Sequence, residues 1–212
     1  MVNTRNTFQD TRQHILATGY QLVVKQGFHA LGLSQLLKTA EVPKGSFYHY
    51  FRSKEHFGEC LIDFYLEHYT QKLQAIFSHP EHSAYQKILA FFDAWMQVEL
   101  DTQHGHRCLV VKLSGEVADL SEPMRQGLNR AAERIMARLA DLLAQGIEDG
   151  SVTALDPKSH ARHLYQTWLG ACLLHKLSQD VEILENTFAL TAKWLSSTSL
   201  EVQSPTQYSI CK

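Results

Sequence analysis

Residues 33–57, LSQLLKTAEVPKGSFYHYFRSKEHF, decide how the rest of this 212-residue chain is read. From Ser34 a short apolar set, Leu36, Leu37 and Ala40, has helical spacing and stops at Glu41-Val42-Pro43, where proline disfavours helical geometry at the residue before it. A tight turn follows. Lys44 to Phe51 then forms an aromatic-rich helix of about two turns, with Phe47 and Phe51 four residues apart on one face. Ser53 is placed to cap a long fourth helix, striped by Phe57, Cys60, Leu61 and Phe64, which should last until His79-Pro80. Upstream, Leu16, Tyr20, Val23 and Val24 mark a first helix over about 11–26, with Asp10 or Thr11 as its cap and Gly27 as its end.

Working outward, the same period continues to the far end of the chain. Ile88, Phe92, Trp95 and Met96 mark a fifth helix, interrupted at His104-Gly105-His106. Ser121-Glu122-Pro123 and Asp156-Pro157 are helix starts with proline at the first helical position. Leu184, Phe188, Ala192 and Leu195 trace a last helix, and from about Thr198 the chain turns polar and loses its period. No alternating strand pattern or internal repeat occurs. The expected fold is therefore all-α: a three-helix helix-turn-helix domain over 1–52, a helical sensing and dimerisation domain over 53–197, and a loose tail over 198–212.

Composition supports a packed protein, with 44% hydrophobic and 20% charged residues, far from the balance of a disordered chain. The net charge of −2 conceals a polarity. Residues 1–54 hold seven basic side chains against two acidic ones, which leaves thirteen basic and twenty acidic for the other 158. A basic head on an acidic body suggests an anionic partner for the head. The first 20 residues lack the apolar core of a signal peptide, and no stretch approaches the roughly 18 uninterrupted apolar residues of a spanning helix. Four irregularly spaced cysteines do not form a disulfide framework. The expectation is a cytoplasmic protein with reduced thiols and no membrane partner.

Three short helices with a tight turn before the third form the arrangement that lays its third helix in the major groove of duplex DNA. KGSFYHYF carries suitable side chains. Lys44 can meet phosphate and Gly45 lets a backbone approach; Ser46, Tyr48, His49 and Tyr50 can reach base edges, sugars or phosphates, and Lys54 can add a phosphate contact.

The whole stretch resembles the DNA-binding signature of the TetR family of bacterial transcriptional regulators, and this resemblance covers residues 10 to about 65. It implies an all-helical homodimer that represses from an operator until an effector binds. By position, the DNA contacts fall on Ser34 in the second helix, on Lys44, Gly45, Ser46, Tyr48, His49 and Tyr50 in the third, and on Lys54. The helices near 157–178 and 181–197 would form the four-helix bundle of the dimer.

Of the four cysteines, Cys108 has the most electropositive sequence surroundings. It follows Arg107, has Lys112 four residues on, and stands at the start of CLVVKL, where a helix N-terminus would also favour thiolate. The plain alternative is a small buried hydrophobe, the commonest fate of cysteine. Cys172, in WLGACLL, reads as core although Lys176 lies one turn on; Cys60 belongs to an apolar stripe, and Cys211 to the tail. HRCLVVKLSGEVADLSEPMR and WLGACLLHKLS resemble the matching segments of electrophile-responsive TetR repressors, with Arg107 standing where those have a small residue. The resemblance makes Cys108 the sensing thiol; Lys112 locally, or Lys176 if the penultimate helix passes close, is the candidate amine neighbour. The effector is then a small electrophile or oxidant, and the regulated genes serve detoxification.

Enzyme signatures are missing. None of the twelve histidines has Glu three residues before it, as a di-iron bundle needs, and no HExxH, GxSxG, GxGxxG or Walker run occurs. No cofactor and no metal site are expected, His104, His106 and Cys108 being the one local cluster that could hold a metal. A second reading keeps the repressor and gives it a noncovalent apolar effector beside Phe91, Phe92, Trp95 and Trp168.

Overall fold

The computed structural model describes residues 4–101, 109–117, 121–153 and 156–196, with side chains from Asp10 onward. Within these residues the chain is helical throughout, in nine segments: α1 Thr4–Gln26, α2 Leu33–Thr39, α3 Lys44–Tyr50, α4 Lys54–Phe77, α5 Ala84–Leu100, α6 Leu109–Val117, α7 Glu122–Glu148, α8 Pro157–Ser178 and α9 Glu182–Ser196. No strand occurs among the described residues.

The capping signals act where the sequence places them. Ser53, Ser121 and Asp156 accept backbone N–H bonds at the starts of α4, α7 and α8, with Pro123 and Pro157 in the first turns of the latter two. Ser83 and Gln86 form a reciprocal capping box at the start of α5. One boundary differs: α1 begins at Thr4, so Asp10 lies inside a helix rather than capping it. TRNTFQD contains no Pro or Gly, and adding a residue to an existing helix is far easier than starting one. The tail after 196 lies outside the described residues.

The turn between α2 and α3 is more specific than a proline stop. Glu41 has φ +54, the N–H of Val42 donates to the Leu37 carbonyl at 3.1 Å, and that of Glu41 donates to the Lys38 carbonyl at 3.3 Å. These bonds make a Schellman ending with a glutamate at the position that favours glycine.

Three rings then set the head. Phe47 of α3, Phe51 at its C-cap and Phe57 of α4 are 1%, 0% and 1% exposed, with centroids 5.0–5.7 Å apart. A Cβ on Gly19 of α1 would strike the Phe57 ring, so α1 approaches α4 as closely as a missing side chain permits. Below, α7 is the central helix of the body, packed by α4, α5, α6 and α8, while α9 lies on α5 and α8. Truncating any of the three rings leaves a cavity that helices already packed on one another close only in part. Phe51→Ala is expected to lower the free energy of unfolding by about 3–5 kcal/mol, measured by urea denaturation.

Candidate nucleic-acid interface and sensor segment

Burial divides α3 into two faces. Phe47 and Phe51 point inward, whereas Lys44, Gly45, Tyr48 and His49 lie on the exposed face, which Arg52 continues. Tyr48 is 54% exposed, unusual for so large a ring, and packs edge-on against Phe47. Ser46 and Tyr50 are half-buried at the margins, and the Tyr50 ring sits edge-on to His49. Nothing within 4 Å occupies the space a Gly45 side chain would take. The glycine therefore serves no internal packing and leaves the backbone open from outside.

Two other expected positions sit apart from that stripe. Ser34 is exposed in the first turn of α2. Lys54 is half-buried at the start of α4, where its ammonium lies 5.1 Å from the Phe28 ring centroid and donates to the His29 carbonyl at 3.3 Å. Arg52, exposed just beyond the extended residue that ends α3, is a further cation beside this face, outside the set expected from the sequence.

The turn between α1 and α2 is where head meets body. Gly27 has φ +86, and a Cβ there would lie 2.5 Å from the carboxylate of Glu116 on α6. That carboxylate accepts the N–H of Phe28 at 2.8 Å and of His29 at 3.3 Å. Gly58 of α4 completes the joint, because a Cβ there would meet Met124 of α7 at 2.6 Å and Phe28 at 2.8 Å. The head is thus held by a carboxylate bridging 88 residues of sequence and by a close contact at Gly58, where a side chain would have to displace Met124 and the Phe28 ring.

Cys108 lies outside the described residues, as do His104, His106 and Arg107. The next residue, Leu109, opens α6, which carries half-buried Lys112 and packs on α7 and on α8, the helix of half-buried Lys176. Cys172 is fully buried, and Cys60 is half-buried with its Sγ 3.7 Å from His56 Nε2, a neighbour that an apolar-stripe reading overlooks. Among the described residues no group of three or more His, Cys, Asp or Glu side chains could hold a metal. Phe92 and Trp168, both fully buried, stack at 4.8 Å within one aromatic cluster, and only Phe91 and Trp95 of the four expected residues border the cavity between α4 and α5. On the far side, Leu173, Leu174 and Leu177 of α8 and Leu190 of α9 are 49–75% exposed.

Residues 15–58 match the family model described as bacterial regulatory proteins, tetR family, and residues 84–190 match the tetracyclin repressor-like C-terminal domain. The HTH-type transcriptional repressor NemR of Escherichia coli K12 is 45% identical over 87% of this chain and 94% of its own length. The chain belongs to the TetR family. A crystal structure of E. coli NemR in reduced form superposes with a TM-score of 0.83 at 44% identity, covering 90% of this chain and 98% of that one. The transcriptional regulator AcuR of Cereibacter sphaeroides is 33% identical over 78% of this chain and 76% of its length. These relatives make the chain a transcriptional repressor of the TetR type, not an enzyme, and no described helix is long and apolar enough to cross a membrane.

Within a TetR-type molecule the Glu116 contact joins the helix-turn-helix head directly to the C-terminal domain. Glu116→Ala removes an ionised acceptor from two N–H groups and is expected to cost about 1–3 kcal/mol, with amide exchange at Phe28 and His29 accelerated ahead of the α7 core. Gly27→Ala is expected to destabilise the same turn through both its φ and its clash with the carboxylate, read as a lower Tm.

Proposed function

We propose that this chain is a homodimeric repressor that holds operator DNA through α3 and leaves it when Cys108 is modified by an electrophile or oxidant. The exposed stripe of Lys44, Gly45, Tyr48 and His49, opposite buried Phe47 and Phe51, carries the DNA half of this reading. Ser46, Tyr50 and Ser34 flank it, and Lys54 orders the turn beside it while remaining near enough to the surface to meet phosphate. Residues 1–52 act as the DNA head and 53–197 as the sensing and dimerising body, working in the cytoplasm. The exposed leucines of α8 and α9 suit burial against a second copy, each worth about 1.5–3 kcal/mol when covered. Two heads must then stand about one duplex turn apart, so a small tilt of either lowers affinity.

The position of Cys108 next to α6 supports the sensing half, together with the likeness to a repressor solved in a reduced form. With N-ethylmaleimide the thiolate sulfur adds to the ring double bond, forming an S–C bond, and the resulting carbanion takes a proton from water. With a peroxide the sulfur is oxidised by two electrons to sulfenic acid, the peroxide being reduced to water or alcohol. Condensation of that acid with the amine of Lys112 or Lys176 expels a water molecule. Either product enlarges the residue at the entry to α6, and α6 ends in the Glu116 hold on the α1–α2 turn.

Mobility shift with the chain's own upstream DNA tests both halves. Lys44→Ala is expected to weaken binding and reduce the salt slope by about 1 per subunit. Cys108→Ser is expected to bind normally and to resist release by N-ethylmaleimide. Release of the Ser variant at the same reagent concentration would sink the assignment of the thiol.

A further inference from the structure

A tyrosine-rich cleft opens between α1, α4 and α5, on the line where head and body meet. It has two lobes, of about 120 and 270 Å³, which share Tyr20 of α1 and Tyr65, Tyr69 and Lys72 of α4. The three rings form a near-parallel staircase: Tyr20 on Tyr65 at 5.6 Å and 20°, Tyr65 on Tyr69 at 5.6 Å and 16°. Such offset faces receive a flat ring better than a branched chain. Phe91 and Trp95 close the smaller lobe from α5. Trp95 is 5% exposed, and its buried indole N–H has no hydrogen-bond partner among the described residues.

Charge narrows the occupant. Among the described residues no carboxylate lines either lobe, whereas Lys72 lines both; the other polar side chains are the three phenols and the Trp95 indole, with Gln21 and His68 in the larger lobe. A cavity of about 150 Å³ accepts one benzene ring, so the joined lobes have room for one ring or two fused rings. We propose that this cleft binds a planar aromatic carboxylate, its ring on the tyrosine staircase and its anionic end at Lys72. Cys108 is not among the described residues that line the cleft, and occupancy is expected to be independent of its thiol, so the site stands or falls separately from thiol sensing. Because Tyr20 belongs to the head and the other walls to α4 and α5, any change in the angle between them alters the affinity of the occupant, and by reciprocity the occupant biases that angle.

Isothermal titration calorimetry of the full chain with 2-naphthoate and with neutral 2-naphthamide tests the site. Saturable binding of 2-naphthoate at a single site per chain is expected in the wild type and equally in Cys108→Ser. Exposed Lys72→Gln should weaken 2-naphthoate about fivefold and leave 2-naphthamide unchanged. Ala94→Trp, which fills the smaller lobe, should remove binding of both if its Tm stays near that of the wild type. Absence of binding up to millimolar 2-naphthoate, or equal affinity in the wild type and Lys72→Gln, overturns the proposal, and the latter result does not depend on the filled variant folding.

Discussion

Phe57 stands at the start of α4 yet belongs to the packing of the head. Its ring meets Phe47 and Phe51 from α3 and fills the space above Gly19 of α1. Helices as short as α2 and α3, seven residues each, have no stability in isolation, so their existence depends on that burial. With the rings inward, the helical period leaves Lys44 and Tyr48 outward on one face of α3. The presentation of this exposed stripe is therefore a consequence of the aromatic clamp. The same ring makes α4 a rigid extension of the head into the body.

A second joint acts at the α1–α2 turn. Glu116 accepts the N–H groups of Phe28 and His29, and Lys54 supports the Phe28 ring from α4. The aromatic clamp is nondirectional and insensitive to small movements, whereas hydrogen bonds weaken steeply with angle and distance. A shift of α6 by a fraction of a helical turn would release the second joint while sparing the first. The two joints therefore differ in how much displacement they tolerate.

Much of this was legible from periodicity and caps. Ser53, Ser121 and Asp156 cap the helices expected of them, and Phe47 and Phe51 face inward because residues four apart must share a face. The start of α1 was not legible, because a capping residue marks where a helix can begin without forbidding it from beginning earlier. Gly58 inside α4 gave no warning of its role: a glycine amid a helical stripe looks like a weakness until Met124 and Phe28 are seen against it. The aromatic set around Trp95 divided in a way spacing cannot show, with Phe92 and Trp168 in the core and Phe91 and Trp95 bordering a cleft.

The amino-acid sequence by itself determined the helical class, the order of most elements and the inward and outward faces of α3. Those follow from local spacing and from side chains that satisfy backbone groups a few residues away. Tertiary structure alone decided that Glu116 would serve the α1–α2 turn, that Lys54 would lie over Phe28, and that Tyr20 would continue a stack begun by Tyr65 and Tyr69. Each joins residues tens of positions apart whose spacing in the chain carries no period. Long-range contacts are set by how whole helices pack, and helix packing depends on where small residues such as Gly19 and Gly58 let backbones come close.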